Sequence, residues 1–218
     1  GHWGIGDETF NELCRDKLCY SYMNIHDVYD EARTWLPKWT WERVLIEWMD
    51  KYDLFIYRNR QPLHFRWFGQ GPIVNWAITT EAQLGEIVSK IPSGYGALFL
   101  DQAWPDVRQW MLLEQDVTQA ELDTLINQET YGRQFRAFVN MVRAKHKVVL
   151  NGWHDWKKEN LAMMYENATV SSFWTEFRTD YQRLLNEPAY AERYLNHPPE
   201  PGENDYNYYV SMRESYFM

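Results

Sequence analysis

The chain has 218 residues, 45% hydrophobic and 24% charged, a balance that excludes a disordered or disulfide-stapled protein. A chain of that length buries roughly 70% of the surface its unfolded form exposes, enough for a real core. The net charge of −9 lacks the basic footprint of a nucleic-acid or anionic-lipid binder, and no apolar run approaches the roughly 20 residues of a membrane span, so neither nucleic acid nor membrane is expected as a partner.

The first segment, GHWGIGDETF, carries neither the basic nor the apolar stretch of a signal peptide. Cys14 and Cys19 follow as C-x4-C, with no further Cys and no nearby His pair to complete a zinc set. Their redox state is left open. Leu18 to Tyr29 begins as a β-rich run and turns polar at Asn24. Thr40 to Tyr52 reads as a helix, with Trp41, Val44, Leu45, Trp48, Met49 and Tyr52 on one face and Thr40 as its N-cap. Leu54 to Tyr57 is a short apolar strand leading into the turn-like Arg58-Asn59-Arg60, and Pro72 to Ala77 is another strand. Thr80 and Gln83 form a capping box for a helix to Ile91, which buries Leu84, Ile87, Val88 and Ile91 and stops at Pro92-Ser93-Gly94.

Ala97 to Leu100 is fully apolar and runs straight into Asp101. Thr118 with Glu121 reads as a second capping box. It opens a long helical stretch broken near Gly132, whose second half buries Phe135, Phe138, Val139 and Val142. Lys147 to Leu150 is the next strand, ending at Asn151-Gly152; a helix or loop continues through Met164, past the sequon Asn167-Ala168-Thr169. Val170 to Phe177 reads as a strand and Arg178 to Leu195 as a helix. Residues 1–196 then form one domain, and 197–218 a Pro-rich strap with an aromatic tail.

Apolar strands separated by helices indicate parallel pairing. No G-x-G-x-x-G and no P-loop occurs, which lowers the nucleotide-binding open sheet. The expected fold is α/β: a parallel, TIM-like β/α barrel cut down to about six strands from the usual eight.

In such folds the site gathers at the carboxyl ends of the strands. Those ends carry Asn24, His26 and Asp27; Asn75 and Trp76; Asp101, Gln102 and Trp104; Asn151, Trp153, His154 and Asp155; and Trp174 with Glu176. Glycoside cleavage needs two carboxyl groups across the scissile bond. Asp101, emerging from four apolar residues, is the candidate nucleophile or base. Glu176, beside Phe173, Trp174 and Phe177, is the candidate acid, and the two roles are interchangeable. Asn24, Asn75, Trp76, Gln102, Trp104, Asn151, Trp153 and Trp174 are the candidate substrate contacts. The chain holds 12 Trp, 15 Tyr and 10 Phe, and Trp and Tyr suit a flat, half-wet ligand such as a sugar ring. The competing structural readings are plain ones: Asp101 and Glu176 in helix first turns, Asn75 and Asn151 capping turns, the indoles in core or lid. No G-x-S-x-G exists for a serine triad. No metal and no cofactor is expected.

The order of four segments, DLFIYRNRQPLHFRWFGQGPIVNW, SGYGALFLDQAW, KHKVVLNGW and SSFWTEF, resembles glycoside hydrolases of TIM-barrel fold, in particular the group similar to endo-α-1,4-polygalactosaminidases. The resemblance covers about residues 18–180 and rests on order and spacing. It implies that Asp101 and Glu176 are catalytic and that Asn75 and Asn151 line the sugar site. Tyr95 stands before Gly96 where that group usually has an Asp. The expected function is therefore a glycoside hydrolase-like, metal-independent action on a poly- or oligosaccharide. The alternative is a non-catalytic structural or sugar-binding part of a larger assembly, such as a virion or cell-surface particle, with the aromatic tail from Tyr206 to Met218 docking on a protein partner. The compartment is undetermined, secretion or particle association being the preferred setting.

Overall fold

The β-rich run ahead of Asn24 forms β1, Tyr20–Asn24, in a computed structural model that describes residues 20–28, 41–67, 70–91, 97–152, 162–166 and 194–197. The chain divides after Val148 into two compact units.

In the first unit, α1 (Trp41–Tyr52) buries Leu45, Ile46, Trp48 and Met49, the face its apolar spacing announces. The chain then folds back as a hairpin of two short strands, β2 (Tyr57–Arg58) and β3 (Gln61–Pro62), in antiparallel register. A 3-10 turn at Trp76–Ile78 leads to α2, Glu81–Ser89, which opens with the expected reciprocal capping box between Thr80 and Gln83. Next comes β4, Ala97–Ala103, parallel to β1 with Tyr20 opposite Ala97 and Asn24 opposite Asp101. Two helices come after it: α3, Gln119–Leu125, and α4, Gln128–Arg143. Trp76 lies at 0% exposure in the middle of the core, with Phe138 stacked 4.8 Å away and Trp48 and Phe135 within 6.1 Å. Its indole N–H donates to the Ile25 carbonyl at 3.0 Å, so the one polar atom of this large ring is satisfied.

In the second unit, β5 (Val148–Gly152), β6 (Ala162–Glu166) and β7 (Tyr194–His197) run parallel, Leu150 opposite Met163 and Glu166 opposite His197. The expected barrel is overturned. Among the described residues the parallel strands are the β1–β4 pair and this trio, and no barrel closes. The reason lies in the turn after LFIY. Asn59 and Arg60 both take positive φ, 51° and 66°, as the two central residues of a type I′ turn do, and such a turn returns the chain antiparallel. The crossover helix that a parallel barrel needs at this point is therefore missing. The segment around Ile73, expected as a parallel strand, instead makes antiparallel bridges: Asp27 with Ile73, Phe55 with Val74 and His64 with Pro72.

Smaller departures have local causes. The long helical stretch breaks not at Gly132 but at Ile126, whose extended backbone ends α3, while Asn127 caps α4 by accepting the Thr130 N–H at 2.8 Å. Thr118 caps α3 by accepting the Glu121 N–H at 3.1 Å. Ala162 to Met164, the end of the stretch read as helix or loop, belong to strand β6, and Tyr194 and Leu195, read as helix, belong to β7. The expected strand from Val170, the Pro-rich strap after His197, the aromatic tail, the cysteines and the sequon lie outside the described residues.

Two glycines inside helices separate propensity from packing. A Cβ on Gly132 would sit 2.8 Å from the Pro105 carbonyl oxygen, whereas one on Gly85 would meet nothing within 4 Å. Gly85→Ala should therefore stabilise the protein by about 0.5–1 kcal/mol, and Gly132→Ala should destabilise it despite the same propensity gain. Urea titration of both variants checks the opposite signs.

Candidate functional site

Asn24 ends β1 and organises the turn immediately after it. Its side-chain oxygen accepts the N–H groups of His26 at 3.1 Å and Asp27 at 3.4 Å, and its amide N–H donates to Asp27 Oδ1 at 2.7 Å. Asn is suited to this, since a short amide can turn its own backbone while still donating outward. The polar turn is sealed in: Asn24 is 4% exposed, His26 0% and Asp27 1%. Across the strand pair, the Ile25 N–H bonds to the Asp101 carbonyl at 3.3 Å. The carboxyl ends of β1 and β4 thus meet at one polar junction.

Three acids act on one another there. Burial raises the Asp27 carboxyl to about 7, and the Asp101 charge adds to the rise; the Asn24 amide and the Gly71 backbone N–H oppose it. Glu42, in the first turn of α1 and only 6% exposed, is raised to about 8 by burial, with the Asp27 and Asp101 charges adding. Desolvation outweighs the hydrogen bonds in both. The His26 imidazole is pushed down to about 3 by complete burial, so it is neutral at physiological pH. Its Nδ1 meets the Tyr131 hydroxyl at 3.3 Å, while His26 Nε2 and Asp27 Oδ2 lack a hydrogen-bond partner among the described residues. No three His, Cys, Asp or Glu side chains among the described residues are arranged to hold a metal ion.

A row of rings leads outward from this junction. His26 meets Phe65 edge-on at 5.3 Å, Phe65 meets Trp67 at 5.1 Å, Trp67 meets Trp110 at 5.6 Å and Trp110 meets Trp104 at 5.6 Å. Two backbone segments hold the outer rings together: the Arg66 N–H bonds to the Met111 carbonyl at 2.9 Å and the Leu113 N–H to the His64 carbonyl at 2.8 Å. Glu114 clamps the same pairing by accepting the His64 backbone N–H at 3.0 Å and meeting its ring Nδ1 at 2.9 Å. The Arg66 guanidinium lies 4.9 Å over the Trp67 ring and donates to the Trp110 carbonyl. Trp67 at 39% and Trp110 at 44% are exposed, and Trp104 is half-buried. The row ends where the Trp104 indole N–H donates to Gln102 Oε1 at 3.0 Å and the Gln102 N–H to Asp101 Oδ1 at 2.9 Å.

The structure brings Asn24, Asp101, Gln102 and Trp104 together at the carboxyl end of β1 and β4, but Asn24, expected as a substrate contact, is only 4% exposed and spends its side chain inside its own turn. Asn75 caps the 3-10 turn by accepting the Ala77 N–H, and Trp76 is sealed in the core, so neither offers a face to a ligand. Asn151 lies in β5 of the second unit. Glu176, Trp153 and Trp174 lie outside the described residues. Sequence reasoning missed Glu42, Tyr131, Trp67 and Trp110. Glu42 shares a helical face with Leu45 and Met49, which was a usable signal of a buried acid. No protein-family model matches the chain, and neither does any curated protein or solved structure.

Raised carboxyls make stability fall as pH rises. Between the unfolded value near 4 and the folded values of about 7 for Asp27 and about 8 for Glu42, the folded state holds protons that the unfolded chain has lost. His26 works the other way, its depressed value costing stability as pH falls from its ordinary 6.5 toward 3. The clean window is therefore above pH 6.5, where the acids titrate alone at up to about 1.4 kcal/mol per pH unit for each group. Urea midpoints measured from pH 6.5 to 8 should fall in the wild type and flatten in Asp27→Asn with Glu42→Gln. A wild-type profile that is already flat would refute the burial of neutral acids.

Proposed function

We propose that the chain is a glycan-directed, glycoside hydrolase-like protein whose working end is the carboxyl end of β1 and β4. One observation carries this reading: the half-buried Asp101 lies near two buried acids whose carboxyls burial raises and a partly exposed row of indoles. Indole faces bind the apolar faces of sugar rings and leave the hydroxyls in water. A carboxylate at the end of that row is the group that hydrolysis requires. As base, Asp101 takes a proton from the water that attacks the anomeric carbon, or it attacks that carbon itself. A second, protonated carboxyl gives its proton to the departing oxygen.

Asp27 and Glu42 are too deeply buried to meet a substrate. Their part is to keep a neutral, low-dielectric floor beneath Asp101. The acid nominated by the sequence remains Glu176, which lies outside the described residues. A second reading, glycan binding without cleavage, is favoured by the exposure of Trp67 and Trp110 together with Leu113 at 39%.

A panel of soluble oligosaccharides, screened for binding and for release of reducing ends, tests both readings. Asp101→Asn should lower turnover of any cleaved glycan by about 10²-fold or more with an unchanged circular dichroism spectrum. Trp110→Ala should weaken binding by about tenfold, a loss of roughly 1.4 kcal/mol. Binding without release that Asp101→Asn leaves unchanged and Trp110→Ala weakens points to the second reading, and no binding at all to neither.

A further inference from the structure

Arg66 is exposed and stands at the outer end of the ring row, and among the described residues no acid meets its guanidinium. Two contacts hold that group in place. It lies 4.9 Å over the Trp67 ring, and Nη1 donates to the Trp110 carbonyl at 3.1 Å. Neither contact uses the Nε–Nη2 edge, a side of the guanidinium that can take a carboxylate through two parallel bonds. Elsewhere the chain gives such edges to its own acids. Arg58 gives Nε and Nη2 to Glu121 at 2.7 and 3.3 Å, Arg43 gives Nε to Glu47 at 2.9 Å, and Arg108 gives Nε to Asp106 at 2.6 Å. Glu114, the acid in the strand pairing that carries Arg66, is engaged with His64 through both oxygens. An exposed arginine without a carboxylate is ordinary on a surface; one anchored over an exposed indole is a cation placed on a stacking platform.

We propose that Arg66 is the specificity-determining residue of this platform and that the glycan it selects is acidic, with a uronic acid seated at Trp67. The inference rests on the glycan-directed reading of the site and names the sugar class that reading leaves open. A uronate offers an apolar ring face and, at its edge, a planar carboxylate. Trp67 and Arg66 present the matching chemistries side by side. The cation belongs to the Trp67 end of the row, whereas Asp101 lies at the Trp104 end. The sugar carboxylate is therefore held away from the carboxylate that acts on the glycosidic bond. The net charge of −9 opposes the approach of an anion, but salt screens that repulsion beyond about 8 Å at physiological ionic strength, and the guanidinium acts at contact. An acidic peptide would bring the charge without the sugar face, so it fits the indole half of the platform less well.

Calorimetric titration with oligogalacturonate and with its methyl ester of equal length isolates the charge, since the two differ only at the carboxyl. The wild type should bind the acid about tenfold or more tightly than the ester, the scale of hydrogen bonds to a charged group. Raising the salt should shrink that ratio. Arg66→Gln should weaken acid binding by about tenfold and leave the ester within about twofold, with an unchanged circular dichroism spectrum. Arg66→Lys keeps the charge without the fork and should restore only part of the preference. Trp67→Ala should weaken both ligands alike. A merely structural role for Arg66 would move acid and ester together, so the ratio is the deciding quantity, and the wild-type ratio needs no variant to fold. Equal affinity for acid and ester, or binding of neutral glycans alone, overturns this inference and leaves the glycan-directed reading standing. Polyglutamate bound as tightly as oligogalacturonate overturns it in favour of an acidic peptide. Binding of no glycan, acidic or neutral, overturns both.

Discussion

Everything at the candidate site depends on the parallel pairing that sets Asn24 level with Asp101. That register fixes where the strand ends and where its polar turn begins. Asn24 then accepts two backbone N–H groups and donates to Asp27, so a single amide satisfies the turn and escorts a carboxyl into the interior. A hydrogen bond to a charged acceptor contributes about 1.5–3 kcal/mol, less than the several kcal/mol that an ionised carboxylate costs when taken out of water. The balance is resolved by protonation, which is why Asp27 rises to about 7 rather than remaining an ordinary acid. Moving Asn24 by one residue would turn its side chain to the other face and strand Asp27 without that donor.

The antiparallel segments that separate β1 from β4 in the chain explain how indoles reach this junction. A parallel barrel would have carried residues 63–67 away through a crossover helix. The two-residue turn at Asn59 and Arg60 instead returns the chain at once, so that Phe65 comes to bridge Leu112 and the flanking Trp67 and Trp110 come into contact. The same reversal brings Arg58 to the start of α3, where it pairs with Glu121 at 2.7 Å and Asp116 at 2.6 Å. Those pairs are solvent-facing and add little on their own. The stronger tie is the apolar contact of the layer itself, with Leu54, Ile56, Leu63, Phe65, Ile73 and Val74 all buried.

Local signals were legible in the sequence and non-local ones were not. The helix at Glu81–Ser89 follows from a box written within four residues, and most of the buried face of α4 from four apolar side chains at helical spacing, Phe135, Phe138, Val139 and Val142. The barrel was misread because a type I′ turn ordinarily advertises itself with Asn-Gly, and here Arg60 occupies the second positive-φ position. Nothing in an isolated Arg announces that. That Asp101, Asn24, Gln102 and Trp104 lie together at one strand end was legible because an apolar strand running into polar residues is itself a local pattern. Trp76 and Trp110 could not be told apart: each follows a short segment, yet one is sealed against Phe138 and the other is 44% exposed. Burial of a single indole is decided by which elements pack over it, and that is settled far away in the chain.

The distribution of unfavourable features is the strongest reason to regard this end of the molecule as a working surface. Replacing buried acids by apolar groups of similar size is commonly neutral or stabilising, so Asp27 and Glu42 are not retained for stability. Around them lie a histidine nitrogen and a carboxyl oxygen without partners among the described residues, and a left-handed glutamine inside a strand. Elsewhere in the first unit Thr80, Thr118 and Asn127 each cap a helix with a side-chain oxygen, although the buried Trp48 indole nitrogen also lacks a partner among the described residues and Asp53, Asn59, Arg60 and Gln70 also take positive φ. Proteins concentrate perturbed titratable groups and strain where chemistry or recognition demands them. Buried acids at one strand end, beside rings that stand partly in water, are what supports the proposed reading of this end as a site.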